Sequence, residues 1–322
     1  MLAIQATKIG GPEVLEAVDV PLPEPAAGQI RVRHHAIGLN FIDTYQRSGL
    51  YPMRLPAVLG QEAAGVVDAI GEGVVGWTLG ERVAYCGQTG AYAAFHVVQA
   101  ERLLRLPDSI SFDTAAACLL KGMTAEFLLH RCHPLKVGET ILVHAASGGV
   151  GSILVQWAKA IGAVVIGAVG SAAKADLARD NGCDHVVLYR DEDVPARVRE
   201  ITAGRGVRVA YDSVGKDTFE GTLASLGRRG LFVSYGNASG PAPAVEPVRL
   251  MRAGSLFLTR PTLFDYTATP EELAASAAAL FAIIASGAVK IEIGQTFPLK
   301  DAARAHMALE SRDTIGASLL IP

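Results

Sequence analysis

Charge is scarce in this chain, and neither sign dominates. Its 322 residues include 29 Lys and Arg against 32 Asp and Glu, a net charge of −3. No strong positive field is present to hold a phosphate backbone, so nucleic acid is an unexpected partner. The four cysteines, Cys86, Cys118, Cys132 and Cys183, are scattered and form no C-x-x-C pair. That excludes a disulfide framework and a cysteine-built zinc lobe. The longest uncharged apolar stretch lies within Leu273–Val289 and carries two serines and a glycine. It falls short of the roughly 20 residues of a membrane span. No basic region followed by an apolar run lies near Met1, so a soluble, cytoplasmic location is expected.

Hydrophobic residues are plentiful at 50%, enough for packed cores in about two domains. The first third reads as strands and turns. Gln29–Ala36 alternates polar and apolar residues, as a half-buried strand does, and Gly and Pro punctuate the stretch as far as Gly80. From about Ala115 the pattern changes. β-branched runs at Thr140–His144, Ala163–Val169, His185–Tyr189, Val207–Asp212, Leu231–Tyr235 and Ser255–Thr259 alternate with helical stretches such as Val150–Ile161 and Ala172–Asn181. This order predicts a parallel sheet with helices on both faces. Thr269-Pro-Glu-Glu272 predicts a helix start, with Thr269 as N-cap and Glu272 completing a capping box.

The most informative segment is Ile141-Leu-Val-His-Ala-Ala-Ser-Gly-Gly-Val-Gly151, followed by the helical Ser152–Lys159. A strand runs into a glycine-rich turn and a helix leaves it, the context that brings a pyrophosphate to helix N-terminal N–H groups. Ala146 stands where the first glycine is usual. An NAD site places an acid on the ribose about 20 residues later, yet no acidic residue occurs from Thr140 to Ala175. The second strand ends instead in Val169-Gly170-Ser171, with Lys174 a turn on and Tyr189-Arg190 ending the third strand. This set suits a 2′-phosphate and favours NADPH over NADH.

Several segments then occur in order: Asn40-Phe-Ile-Asp-Thr-Tyr45, Gly49-Leu-Tyr-Pro52, Leu59-Gly-Gln-Glu-Ala-Ala-Gly65, Tyr211-Asp-Ser-Val-Gly215, Ser234-Tyr-Gly-Asn237, Leu258-Thr-Arg-Pro261 and Ala303–Arg312. Together with the glycine-rich turn they resemble the NADPH-dependent quinone oxidoreductases, the zeta-crystallin-like branch of the zinc-free medium-chain dehydrogenase/reductases. The resemblance implies an α/β fold in which a Rossmann dinucleotide-binding domain (residues 125–261) is inserted into a GroES-like β-rich catalytic domain (residues 1–124 plus 262–322). It implies a cofactor cleft between them. It also implies a homodimer, with the Ser255–Thr259 strand as candidate edge.

Zinc relatives in the superfamily need Cys and His ligands. Here Asn40 stands near their first Cys, Gln61 replaces the His, and Glu62 alone remains, so a metal-free site is expected. Histidines offer no substitute. His34 and His35 point to opposite faces of a strand, His130 and His133 read as surface residues, and His144 as a packed or hydrogen-bonded one.

By resemblance, Asn40, Tyr45 and Tyr51 are the catalytic candidates lining the acceptor slot, with Tyr51 as a hydrogen-bond or proton donor to a developing oxyanion. Asn40 also serves as a cofactor contact. Met123, Thr124 and Phe127 are implied to approach the nicotinamide half, and Gly149 and Val150 the pyrophosphate. Gly170, Ser171, Lys174 and Tyr189 are implied to hold the adenosine phosphate. Ser213, Tyr235, Gly236 and Asn237 are implied to line the cleft, Arg260 and Pro261 to border the carboxamide, and Arg312 to reach the cofactor. The expected reaction is NADPH-dependent reduction of a small-molecule quinone. An enoyl or alkenal double-bond reductase is the alternative among enzymes. A non-catalytic NADPH-binding structural or RNA-interacting protein is the alternative outside them.

Overall fold

The computed structural model describes residues 1–311 and 314–322. Contacts divide it into two units. One comprises Met1–Met123, Thr267–Ala285 and Ile291–Pro322, and the other Thr124–Tyr266 and Ser286–Lys290. Residues 262–266 and 286–290 thus pack with the second unit.

The first unit is β-rich. A seven-stranded sheet runs in the order Ile293–Pro298, Ala317–Ile321, Gln29–Leu39, Glu62–Ile70, Arg82–Cys86, Leu104–Arg105, with Phe95–Gln99 also paired to Gln29–Leu39. A smaller sheet joins Leu15–Asp19, Leu2–Ala6 and Ala57–Val58. In Gln29–Leu39 the expected alternation holds through Ala36: Ile30, Val32, His34 and Ala36 are buried while Arg33 and His35 are exposed. After a bulge between His34 and Ala36 the strand is buried on both faces. Gly38 is required there, because a Cβ would lie 2.2 Å from the carbonyl oxygen of Ala116. The strand therefore lies directly on the helix Phe112–Phe127 and delivers Asn40 to the start of the helix Phe41–Ser48. Ile4, Ile30, Val32, Ile37, Leu39 and Tyr85 form part of the core beneath.

In the second unit six parallel strands run in the order His185–Leu188, Val164–Val169, Thr140–His144, Val207–Asp212, Leu226–Ser234, Phe257–Thr259. Chain order reverses beside Thr140–His144, so this is the doubly wound dinucleotide-binding topology, whose ligand crevice opens at the carboxyl ends of the strands. Five of the six residues in Val164–Val169 are buried, as in a sheet covered on both faces.

Two strands differ from the sequence expectation. The fifth strand begins at Leu226, not Leu231, and crosses a register shift with Arg229 at φ 57°; Gly227-Arg-Arg-Gly230 reads as a turn in sequence. The sixth begins at Phe257, because Ser255 is left-handed at φ 56° and cannot join the ladder. Phe112–Phe127 continues into a π-helical turn at Leu128–Cys132. The capping box at Thr269 forms as expected, with Thr269 N–H donating to Glu272 and Glu272 N–H to Thr269 Oγ1, both at 3.2 Å. Among the described residues no helix is long and apolar enough to cross a membrane.

Candidate active site

The glycine-rich turn places the helix Gly149–Ile161 directly after the strand Thr140–His144. Its N-cap is Gly148, which has no side chain to occupy the first-turn N–H groups. Gly151 admits no larger residue: a Cβ would stand 2.1 Å from the carbonyl oxygen of Ala145. The left-handed residue of the turn is Ala145 at φ 52°, while Ala146 in the usual glycine position is not left-handed. Gly149 and Val150 sit half-buried at the helix start. They form an amide-lined cradle suited to an anion.

At the end of the second strand, Gly170 faces the Tyr189 ring, and a Cβ there would lie 2.6 Å from Tyr189 Oη. Ser171 caps the helix Ala172–Asp180 by accepting the Lys174 N–H at 3.4 Å. Gly170, Ser171, Tyr189 and the backbone of Lys174 are thus brought together, with no carboxylate among the four residues.

The fourth strand ends at Asp212, a fully buried carboxylate that sequence reading missed. Its Oδ1 accepts the N–H groups of Val214 (2.7 Å) and Gly215 (3.1 Å), and its Oδ2 the hydroxyls of Thr218 (2.7 Å) and Thr222 (2.8 Å). His144 Nε2 lies 2.9 Å from Thr222 Oγ1. Because that hydroxyl hydrogen is given to Asp212, His144 is the donor, in its Nε2–H form. This network fixes the loop bearing Ser213. Gly236 packs on that loop so closely that a Cβ would meet Ser213 O at 2.3 Å. Tyr235 donates its N–H to Asp212 O at 2.8 Å, and the half-buried Asn237 accepts the Gly240 N–H at 2.9 Å. Arg260 is exposed and donates to Ser234 O at 3.0 Å, beside half-buried Pro261.

In the first unit, Asn40 is buried between two carboxylates. Its backbone N–H donates to Asp43 Oδ2 at 2.9 Å and its Nδ2 to Glu62 Oε1 at 2.8 Å. Glu62 also accepts Lys121 Nζ at 2.8 Å and the Leu120 N–H at 2.7 Å. Asp43 Oδ2 accepts the Tyr92 hydroxyl at 2.9 Å. Tyr92 Oη lies 3.0 Å from His306 Nε2, and His306 Nδ1 is 3.0 Å from Arg47 Nη1. Arg47 also binds Glu310 at 2.6 Å and Gly10 O at 3.1 Å. Burial and the neighbouring Glu62 push Asp43 up to about 7, against the opposing pull of the Asn40 and Tyr92 donors and Lys121. Burial and the adjacent Arg47 hold His306 down at about 3. It is neutral, accepts from Arg47 and donates to Tyr92.

Tyr45 is buried on the helix that follows Asn40, and the half-buried Tyr51 meets it edge-on at 5.3 Å and donates its N–H to Tyr45 O. The structure therefore groups Asn40, Tyr45 and Tyr51 on one helix and its exit. A cavity of about 710 Å³ opens beside them past Gln46, Pro52 and Thr89, but Asn40, Tyr45 and Tyr51 do not line it. Gln61, at the relatives' histidine position, donates to Gln46 (3.0 Å) and Thr89 (2.7 Å). Met123 is fully buried in its helix. In the second unit Thr124 is buried, and Phe127 stacks on Tyr266 at 4.4 Å. Arg312 lies outside the described residues. His133 differs from expectation: it is largely covered and lies 2.9 Å from Glu139 Oε2, whereas His130 is exposed.

Residues 26–108 match the alcohol dehydrogenase GroES-like domain, and residues 149–282 the zinc-binding dehydrogenase family. A quinone oxidoreductase of Salmonella typhimurium is 54% identical over 99% of each chain. The crystal structure of Escherichia coli quinone oxidoreductase complexed with NADPH covers 100% of both chains, at 51% identity and a TM-score of 0.98. A 2-haloacrylate reductase from a Burkholderia species is 42% identical, covering 100% of this chain and 99% of its own.

Proposed function

The chain belongs to the quinone oxidoreductase family, and from that membership we propose that it reduces quinones with NADPH and without a metal. The observation that carries the cofactor half is the acid-free end of the second strand, where Gly170 lies against Tyr189 and Ser171 caps the helix that bears Lys174. A carboxylate there would repel a 2′-phosphate, whereas a hydroxyl, a phenol and an ammonium attract it. The helix start at Gly148–Gly151 fits a pyrophosphate because its N-cap Gly148 has no side chain to occupy the first-turn N–H groups, and Gly151 lets the helix pack tightly on the Ala145 turn. Gly149 and Val150 hold that group. Ser213, Tyr235, Gly236, Asn237, Arg260 and Pro261 serve the nicotinamide side, with Met123, Thr124, Phe127 and Arg312 as family-based contacts. The bound nicotinamide supplies the reducing equivalents. Residues 125–261, with 262–266 and 286–290 packed against them, form the cofactor-binding part, and the rest of residues 1–124 and 262–322 the catalytic part.

Metal independence rests on the donor set. Asn40 and Gln61 are amides, and the Glu62 oxygens are already taken by Asn40, Lys121 and Leu120. Zinc would have to displace an ammonium to reach a single carboxylate. The chain's own task is then orientation. Asn40, fixed at both nitrogens, and Tyr45 form the floor of the acceptor slot, and the Tyr51 hydroxyl donates to the acceptor oxygen as charge develops there. Assembly as a homodimer through the edge strand Phe257–Thr259 is part of the same reading. That strand has one sheet neighbour, and Phe257 is 60% exposed. With all four cysteines free, we place the protein in the cytoplasm.

The 2-haloacrylate reductase relative supports a second reading, reduction of an activated carbon–carbon double bond. Initial rates of NADPH oxidation by metal-stripped protein, with 1,4-benzoquinone and a conjugated enone in parallel and NADH as control, decide between them. Fast NADPH-specific quinone turnover is expected. Enone turnover with little quinone turnover moves the assignment to the double-bond reductases.

A further inference from the structure

Asn40 is held by two fully buried carboxylates through different atoms, Asp43 at its backbone N–H and Glu62 at its side chain. The two carboxylates are not equivalent. Glu62 has an ammonium at 2.8 Å and a backbone N–H at 2.7 Å. Asp43 has only neutral donors on Oδ2, Asn40 N–H and Tyr92 Oη–H, while its buried Oδ1 has no hydrogen-bond partner. Its nearest cationic charges, Arg47 and Lys121, act from behind His306 and Tyr92 or from behind Glu62. The charged and titratable groups around Asp43 come from several elements. Arg47 lies on its own helix, Glu62 on the neighbouring strand, Lys121 on the helix behind, Tyr92 in the loop, and His306 and Glu310 on the C-terminal helix.

We propose that Asp43 is a positioning residue for the acceptor slot, and that its ionised carboxylate is what holds Asn40 in its working place. The inference rests on the reading of Asn40 as part of that slot. Protonation removes the charge from the hydrogen bond to Asn40 N–H, and a bond to a charged group is stronger than a neutral one by about 1 kcal/mol, or about fivefold. Asp43 sits poised at about 7, whereas His306 stays neutral, having been pushed down to about 3. Activity should therefore fall about fivefold as pH drops through the Asp43 transition, read in kcat.

The chain contains only three asparagines, Asn40, Asn181 and Asn237, so ¹⁵N-asparagine labelling gives three backbone amide signals, with Asn40 assigned through an N40S variant. The Asn40 signal should titrate in one step near neutrality, together with kcat for benzoquinone. D43N should abolish both steps and leave kcat flat at the acid-limb level. Y92F, which removes one donor from the carboxylate, should move both steps to higher pH. An Asn40 signal that does not titrate, or that titrates alike in Y92F and wild type, overturns the proposal even if D43N fails to fold. A kcat step that persists unchanged in D43N also overturns it. An Asn40 step in a protein that turns over no quinone counts against the assigned reaction and leaves the Asp43–Asn40 coupling standing.

Discussion

Lys121 Nζ and Glu62 Oε1 lie 2.8 Å apart with side-chain exposures of 7% and 0%. A pair this deep is strongly unfavourable to break from one side, because the remaining charge stays buried and uncompensated. K121M should therefore lower stability by about 3–5 kcal/mol. Adding E62Q should return a large part of that loss. Thermal and chemical melts of the single and double variants measure it, and equal melting of K121M and wild type would contradict the pairing.

Lys174 carries the only side-chain cation assigned to the adenosine phosphate. K174A should weaken NADPH by about tenfold or more, the worth of one charge-assisted hydrogen bond, and leave NADH nearly unchanged. Nicotinamide fluorescence titrations with both cofactors give the ratio. An equal loss for the two would remove Lys174 from the phosphate site.

G151A places a methyl group 2.1 Å from Ala145 O, a backbone atom that cannot swing aside. The turn has to shift, at about 1–3 kcal/mol, and NADPH affinity should collapse with it. G73A serves as the contrast: unlike Gly151, Gly73 stands at positive φ (75°) and faces open space, so its substitution should cost backbone strain and leave NADPH binding intact. Calorimetry of both variants separates the two effects.

Burial holds His34 at about 3, His96 at about 4 and His306 at about 3. In the unfolded chain each returns to about 6.5. The unfolded state thus binds more protons as pH falls, so the stability these residues contribute is complete above about 6.5 and drains away toward 3–4. Asp43 has the opposite sign. Its raised value favours the folded state at low pH and weakens it as pH rises from about 4 toward 7. Three histidines outweigh one aspartate, so denaturant midpoints should drop between pH 7 and 5. H306N should drop less than wild type, since its amide oxygen still accepts from Arg47 while its titration is gone.

The alternating strand at Gln29, the strand–glycine–helix unit at Thr140 and the Thr269 capping box were legible because each is written in neighbouring residues. The buried frame around Asn40 was not. Arg47 meets His306 across 259 positions and Tyr92 meets Asp43 across 49, and such partners leave no periodicity or spacing. Lys121 sits inside an apolar helical run where it reads as a stray surface lysine, and only its contact with Glu62 explains its burial. Asp212 hid in the same way, at the end of a β-branched run, its partners spread over the following loop, the N-cap Thr218 and the helix residue Thr222.

The close approach of Gly170 to Tyr189 constrains how cofactor preference can change over mutational time. An acidic residue at position 170, the simplest step toward an NADH enzyme, would bring a Cβ within 2.6 Å of the tyrosine hydroxyl. The tyrosine ring would have to swing aside to admit it. A change of cofactor preference at position 170 is therefore coupled to the placement of Tyr189, and the two positions should be varied together.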